Sequence, residues 1–109
     1  MKRERLGEFE ELVLLAIRME DNEASGIGVQ EVLERDARRS ASLGAIYTAL
    51  DRLARKGLVD SWLGDPTPLR GGRRKRYYSV THVGLDHLRA VRRVRDSMWQ
   101  KAESRGAAR

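Results

Sequence analysis

Five cationic side chains stand within seven residues of this sequence, at Arg70, Arg73, Arg74, Lys75 and Arg76. Like charges at this density repel one another in the free chain. The repulsion is relieved when phosphate groups neutralise some of them and condensed counterions are released. The chemistry that this pattern favours is therefore the binding of a polyanion. The alternative is a solvated turn between two strands, in which the same cations face only water.

The segment before these cations predicts a helix over residues 43–56. Ile46, Leu50 and Leu53 recur at helical spacing and predict its buried face. The opposite face is small or polar and would let the helix backbone approach a nucleic-acid groove closely. Its members are Ala45, Thr48, Ala49 and Arg52. A helix that fits a major groove, followed by a basic loop, favours double-stranded DNA as the polyanion.

Individual side chains of this helix suggest different contacts. Arg52 can reach a phosphate or a guanine edge, and Thr48 a phosphate or a thymine methyl group. The ring of Tyr47 suits the core while its hydroxyl suits a phosphate, and both can hold at once. Ser42 precedes the helix, where a capping role outweighs a phosphate contact. We keep all four, together with Ala45, as candidate DNA contacts.

The remaining pattern predicts the elements that would position this unit. Two helices precede it, over residues 7–19 and 29–38, and strands over 58–63 and 75–80 flank a projecting loop. Thr81 can cap a last helix over residues 82–103. This α-α-α-β-β-α order predicts a mainly α (α+β) fold, a winged helix-turn-helix with a long C-terminal helix. We expect a DNA-binding domain over residues 1–81, with 1–6 a loose arm, and a dimerisation helix and tail over 82–109.

Apolar residues on the first and last helices suggest a second subunit. A small domain buries a modest fraction of its surface, and a long helix with one apolar face needs a partner. For the first helix, the alternative is a central helix buried within its own chain. The predicted dimerisation residues are Phe9, Leu12, Leu85, Leu88, Val91, Val94 and Met98.

The distribution of charge agrees with a polyanionic partner. The net charge of +6 combines −5 over residues 1–36 (ten acidic, five basic) with +11 over residues 37–109 (six acidic, seventeen basic). Nucleic acid is the first candidate, and an anionic membrane surface is the second and weaker one.

Several other functions find no support in the sequence. Cysteine is absent, which excludes a disulfide or a thiol nucleophile. His82 and His87 are five residues apart, so they do not stack on one helix face as metal ligands. No acid–base pair or phosphate-binding glycine loop indicates an enzyme or a cofactor. Neither a signal peptide nor an apolar run of about 20 residues is present, so we expect a cytoplasmic protein.

Four segments together resemble the PadR family of bacterial transcriptional regulators. They are LGEFEELVLLAI, GIGVQEVLE, SLGAIYTALDRLARKGLV and GGRRKRYYSVTHVGLDHL. The resemblance covers about residues 6–90, and the third segment followed by the GGR…YY.VT wing is its most specific part. Ala24 and Ser25 precede Gly26, where many members have Pro and a His or Tyr. Thr48 stands where many members have Pro.

The resemblance implies a homodimeric repressor whose winged helix-turn-helix reads a pseudo-palindromic operator. A single C-terminal helix would serve dimerisation, as in the short form of the family. DNA contacts are implied at Tyr47 and its helix neighbours and at residues 73–76, in a nucleoid-associated bacterial protein. Some members bind flat hydrophobic molecules between subunits against a Trp of the last helix, which makes Trp99 a possible effector contact.

Two alternatives stay open beside a DNA-binding regulator. One adds a small aromatic effector at the dimer seam, with Trp99 as its platform, although packing is the commoner role of such a residue. The other is a protein-interaction adaptor built on the winged fold, which would not need the wing cations to contact DNA.

Overall fold

The computed structural model describes residues 6–66 and 74–106, which form four helices and one two-stranded sheet. The element order α-α-α-β-β-α confirms the predicted fold class, a winged helix-turn-helix followed by a long helix. The elements are α1 Glu8–Met19, α2 Gly26–Asp36, α3 Leu43–Arg55, β1 Val59–Pro66, β2 Arg74–Val80 and α4 His82–Gly106.

Three hydroxyl groups fix where helices begin. Ser42 Oγ accepts a hydrogen bond from the Ala45 amide at 3.1 Å, and Thr81 Oγ1 accepts from the Gly84 amide at 3.0 Å, which confirms both predicted caps. Ser25 Oγ accepts from the Gly28 amide at 3.1 Å. Helix α2 therefore begins at residue 26, and the prediction that it begins at residue 29 was wrong.

The three N-terminal helices pack around one apolar core. Its largest fully buried side chains include Leu14, Ile17, Leu33, Ile46, Leu50 and Leu53. Ala49 is also buried, so its predicted place on the outward face of α3 was wrong. Ala49 is three residues after Ile46 and four before Leu53, and residues at these spacings share one helix face.

Strands β1 and β2 pair antiparallel, with Val59 opposite Val80, Trp62 opposite Tyr77 and Leu63 opposite Arg76. Strand β1 continues to Pro66, three residues beyond its predicted end at residue 63, with a register irregularity after Leu63. The predicted projecting loop falls largely on residues 67–73, which lie outside the described residues. We call the β1–β2 hairpin the wing.

The α1–α2 connection ties the wing to the helices. Asn22 donates to the Val80 carbonyl at 3.3 Å and accepts from the Val80 amide at 2.7 Å. Ala24 and Tyr78 exchange backbone hydrogen bonds of 3.0 and 2.8 Å. The first residues of α2 and the middle of β2 are consequently held side by side.

Helix α4 is buried against the rest of the chain only along its first half, and an ion pair of Arg95 adds a contact just beyond it. Gly84 packs so closely that a β-carbon there would collide with the Leu58 carbonyl oxygen. Leu88 is buried in the core, and Arg95 forms an ion pair of 2.8 Å with Glu11 of α1. Every residue of α4 from position 92 to 106 is exposed. Within the described ranges, no helix has the length and apolarity needed to span a bilayer.

Candidate nucleic-acid interface

A groove of about 550 Å³ separates α3 from the wing. Helix α3 contributes Tyr47 and Asp51 to its lining, and strand β2 contributes Arg74, Lys75 and Arg76. The start of α2 and further strand positions complete the lining with Ser25, Ile27, Leu63 and Tyr78. The tertiary structure thus brings three of the predicted wing cations to the same groove as the predicted Tyr47.

The outer face of α3 presents fewer free polar groups than its sequence suggests. Ala45, Thr48 and Arg52 are exposed, as a DNA-reading face requires. The Thr48 hydroxyl, however, donates to the Gly44 carbonyl at 2.9 Å, which occupies its only proton. Ser42 is exposed as well, but its oxygen already serves the helix cap. Among residues 6–66 and 74–106, the Arg52 side chain has no hydrogen-bond partner, so its full donor capacity is available.

The wing cations are partly oriented by the hairpin itself. Arg74 Nε donates to the Gly64 carbonyl at 3.0 Å, and Arg76 Nη1 donates to Ser61 Oγ at 3.1 Å. Lys75 Nζ lies 6.0 Å from the centre of the Tyr77 ring. A guanidinium has five N–H donors, so each arginine keeps donors for an external acceptor. Arg70 and Arg73, which were also predicted contacts, lie outside the described residues.

Five groove residues were missing from the predicted site: Ser25, Ile27, Asp51, Leu63 and Tyr78. Asp51 is exposed and, within the described part of the chain, makes no hydrogen bond or ion pair. Its position four residues after Tyr47 puts both on one helix face, a signal that was available in the sequence. Ser25, Ile27 and Tyr78 depend on the pairing of the α1–α2 connection with β2, and Leu63 depends on the pairing of β1 with β2, neither of which periodicity reveals.

The Tyr78 side chain is a buried polar group of this groove, as is Ser25. Burial raises the pKa of the Tyr78 hydroxyl, nearby Tyr47 and Asp51 raise the pKa further, and Arg76 opposes them. The hydroxyl therefore stays protonated at physiological pH and can donate a hydrogen bond to an anion. It cannot serve as a general base there.

The predicted dimerisation residues separate into two groups. Leu88 is buried inside its own chain, and Phe9, Leu12, Leu85 and Val91 are half-buried, with Arg39 lying 5.1 Å above the Phe9 ring. Val94 and Met98 are instead 60% and 66% exposed. At about 100° per residue, Val94 lies roughly 120° around the helix from Leu88, and Met98 roughly 80°. Val91 lies about 20° from Met98, so the predicted stripe is continuous; its own chain covers the part around Leu88, whereas Val94 and Met98 are open to another chain.

We call Val94 and Met98 the α4 apolar face. Trp99, the predicted effector contact, is 66% exposed but lies about 100° from Met98, off the centre of this face. Arg95 follows Leu88 by seven residues and returns to the side that packs on α1.

A helix-turn-helix followed by a two-stranded wing defines the winged-helix class. Within that class, the chain belongs to the PadR-like family of transcriptional regulators, whose family model matches residues 13–90. The comparison with curated proteins gave no match.

Solved structures agree with the fold. The chain is similar to a PadR family transcription regulator from hypervirulent Clostridium difficile, at 23% identity and a TM-score of 0.68, covering 93% of this chain and 99% of that chain. It is similar to a PadR-like transcriptional regulator from Bacillus cereus, at 23% identity and a TM-score of 0.70, covering 88% of each chain. It is also similar to Bacillus subtilis PadR in complex with operator DNA, at 20% identity and a TM-score of 0.66, covering 76% of this chain and 45% of that chain.

Proposed function

We propose that this chain is a homodimeric repressor that binds double-stranded DNA through α3 and the wing. The observation that carries the proposal is the groove, where the exposed Tyr47 of α3 and three wing cations converge. One similar protein, Bacillus subtilis PadR, has been solved with operator DNA. Binding and regulation need no catalytic step, so the proposed protein is not an enzyme and requires no cofactor.

The two parts of the interface have different tasks in this proposal. Helix α3 enters the major groove, where Arg52 contacts a guanine edge or a phosphate. Exposed Ala45 and Thr48 keep the helix backbone close to the bases. Arg74, Lys75 and Arg76, with Arg73 beyond the described residues, contact the DNA backbone or the minor groove and supply charge-dependent affinity. Tyr47 contacts a phosphate at the edge of the groove.

The C-terminal half of α4 supplies the dimer contact in this proposal. Val94 and Met98 are open to a second chain, whereas Leu88 is already buried in its own. A two-fold axis through this contact presents two α3 helices to one DNA duplex. Half-sites about one DNA turn apart, roughly 34 Å, then form a pseudo-palindromic operator. We infer a division at residue 81 between the DNA-binding part and this dimerisation helix, in a cytoplasmic protein associated with the nucleoid.

Selection from random duplexes tests the proposal. The purified chain retains duplexes, the retained sequences share an inverted repeat, and the logarithm of the affinity falls linearly with the logarithm of the salt concentration. Reporter transcription from a promoter carrying that repeat decreases when the chain is present. If no sequence is enriched and duplex affinity does not respond to salt, the adaptor function takes its place.

A second candidate function, effector binding, rests on one observation. Trp99 is two-thirds exposed on α4, about 100° around the helix from Met98, where a flat aromatic molecule could stack on it at the margin of the proposed dimer contact. Titration of planar aromatic compounds with tryptophan fluorescence tests this function. Saturable quenching that is lost in Trp99→Leu and retained in Trp62→Leu supports it, and equal quenching in both variants contradicts it.

A further inference from the structure

The corner where α2 begins beside β2 contains a buried hydroxyl without a partner. Tyr78 is 4% exposed and lines the groove. In residues 6–66 and 74–106, its hydroxyl takes part in no hydrogen bond, although its backbone bonds to Ala24. A buried donor left unpaired is costly, so such a group usually marks a place where an external acceptor arrives.

Free backbone donors lie in the same corner. The Ala24–Tyr78 pairing holds the first turn of α2 against β2. Ser25 Oγ accepts a hydrogen bond from the Gly28 amide at 3.1 Å. The Gly26 and Ile27 amides belong to the first turn of α2, where backbone amides have no acceptor within the helix. These amides point along the positive end of the helix dipole, which favours an anion.

The Tyr47 ring closes this corner on the α3 side. A β-carbon placed on Gly26 would lie 2.6 Å from the Tyr47 hydroxyl oxygen, so this hydroxyl sits at the α2 N-terminus. Gly26 is required there, because any side chain would displace the ring. The Tyr47 hydroxyl therefore lies at the α2 N-terminus, and Tyr78 and Ile27 line the same groove.

The charge of the groove also suits an anion, with one exception. Arg74, Lys75 and Arg76 contribute three positive charges and Asp51 one negative charge. A groove of about 550 Å³ that opens to solvent exceeds the volume of a single phosphate and fits a continuous strand better than an isolated ion. Asp51 repels phosphate at the α3 side and so restricts where along the groove a phosphate can lie.

We propose that this corner binds one phosphodiester of the DNA backbone, whose oxygens accept hydrogen bonds from the Gly26 and Ile27 amides and the Tyr78 hydroxyl. The inference rests on the proposed function and extends it from α3 and the wing to α2. The phosphate lies between the major groove occupied by α3 and the neighbouring groove approached by the wing. Its role is to fix the register of the protein on the duplex, which backbone contacts do without reading sequence.

Tyr78→Phe tests the proposal, with Tyr77→Phe as the matched control. Both remove one phenol oxygen from β2, but Tyr77 lies opposite Trp62 and stacks on it at 6.1 Å, away from the groove. We expect Tyr78→Phe to weaken binding of the selected duplex about tenfold, as the loss of a hydrogen bond to a charged group does. Tyr77→Phe leaves the affinity unchanged. The thermal midpoint of the free Tyr78→Phe protein stays equal or rises, because only an unpaired hydroxyl is removed.

Methylphosphonate substitution, one phosphate at a time, locates the contact. In each half-site, one neutralised phosphate lowers the affinity for the wild-type chain, and the loss at that phosphate is several-fold smaller for Tyr78→Phe. Equal losses at every phosphate in both proteins overturn the proposal. Asp51→Asn, at an exposed position, keeps the test available if Tyr78→Phe does not fold, since it should raise affinity several-fold while retaining the sensitive phosphate.

Inorganic phosphate distinguishes the two sources of this anion. At constant ionic strength, free phosphate should not saturate the Gly26 and Ile27 amide resonances below about 1 mM, because it lacks the contacts of the rest of the strand. Saturation below that concentration would identify a small-anion pocket and overturn the assignment to DNA. If the wild-type chain binds no duplex, the proposed function fails. If it binds and Tyr78→Phe binds equally well, only this inference fails.

Discussion

The groove and the far end of α4 are two exposed surfaces of the described chain, and they expose opposite kinds of group. The groove presents Arg74, Lys75 and Arg76 with a single carboxylate, Asp51. The C-terminal half of α4 presents Val94 and Met98, each at least 60% exposed, in a stretch where every residue from 92 to 106 is exposed.

The difference concerns how strongly each surface requires a partner. Charged side chains are well hydrated, so exposing them in the groove does not destabilise the free protein. What indicates a partner for the groove is the concentration of positive charge in it. Removing apolar surface from water is favourable by about 25 cal/mol for each Å², so an exposed apolar helix face favours association. Salt should therefore weaken contacts at the groove while leaving the α4 contact largely intact.

The largest effect should come from breaking the α4 contact. Met98→Glu places a charge on the α4 apolar face and should convert the proposed dimer to a monomer. Binding to a two-half-site duplex then weakens by about 100-fold, because the half-sites are no longer linked. Sedimentation equilibrium and gel-shift titration measure the two effects. Gln100→Glu, an exposed position on another side of α4, should change neither. A dimeric Met98→Glu protein would remove α4 from the proposed interface.

The next effect concerns the charges of the groove. Arg74→Ala with Arg76→Ala should reduce the slope of log affinity against log salt by about 2, since each phosphate contact contributes about 0.9. The dimer should persist, which separates this surface from the α4 apolar face. Titrations from low to moderate salt measure the slope. The control, Arg93→Ala with Arg105→Ala on the exposed part of α4, should retain the wild-type slope.

A smaller and sequence-dependent effect is expected on α3. Arg52→Ala should lose about tenfold in affinity for the selected duplex and little for random duplex, because a guanine contact contributes about 1–3 kcal/mol of discrimination. Arg55→Ala, one turn further along the same helix, serves as the control. A uniform loss on all duplexes would reassign Arg52 from base reading to a phosphate contact.

The smallest effect is a dependence of stability on alkaline pH. Burial, and then nearby Tyr47 and Asp51, raise the pKa of Tyr78 above its usual 10.0. The unfolded chain therefore loses this proton before the folded chain does. Its contribution to stability is complete below pH 10.0 and declines as the pH rises towards the folded-state pKa. Denaturant unfolding between pH 9 and 11 should show a shallower decline for Tyr78→Phe than for wild type. An identical decline would contradict the raised pKa.

Local chemistry made much of the fold predictable. The caps at Ser42 and Thr81 were confirmed because a hydroxyl followed three residues later by a free amide is a short-range arrangement. The α3 core residues Ile46, Leu50 and Leu53 were confirmed because helical spacing alone determines which side chains share a face. The same rule would have placed Ala49 inside, had it been applied to every apolar residue of α3.

Other features depended on contacts between distant parts of the chain. Ser25 was hidden as a cap because two glycines after it suggested a loop, and only the pairing of this connection with β2 shows where α2 starts. On α4, Leu88 and Val94 have the same apolar character in sequence. The Glu11–Arg95 ion pair and the close approach of Gly84 to Leu58 decide which side of the helix packs on its own chain.

By itself, the sequence determined the element order, the caps of α3 and α4, and a basic wing after a helix with a small outer face. Each of these follows from spacing or charge within a few residues. Only the tertiary structure decided that Tyr78, Ser25 and Asp51 line the same groove as the wing cations. Residues 58 positions apart, Asn22 and Val80, must bond before that groove exists. No local pattern encodes such a pairing, because it depends on how the whole core brings α2 and β2 together.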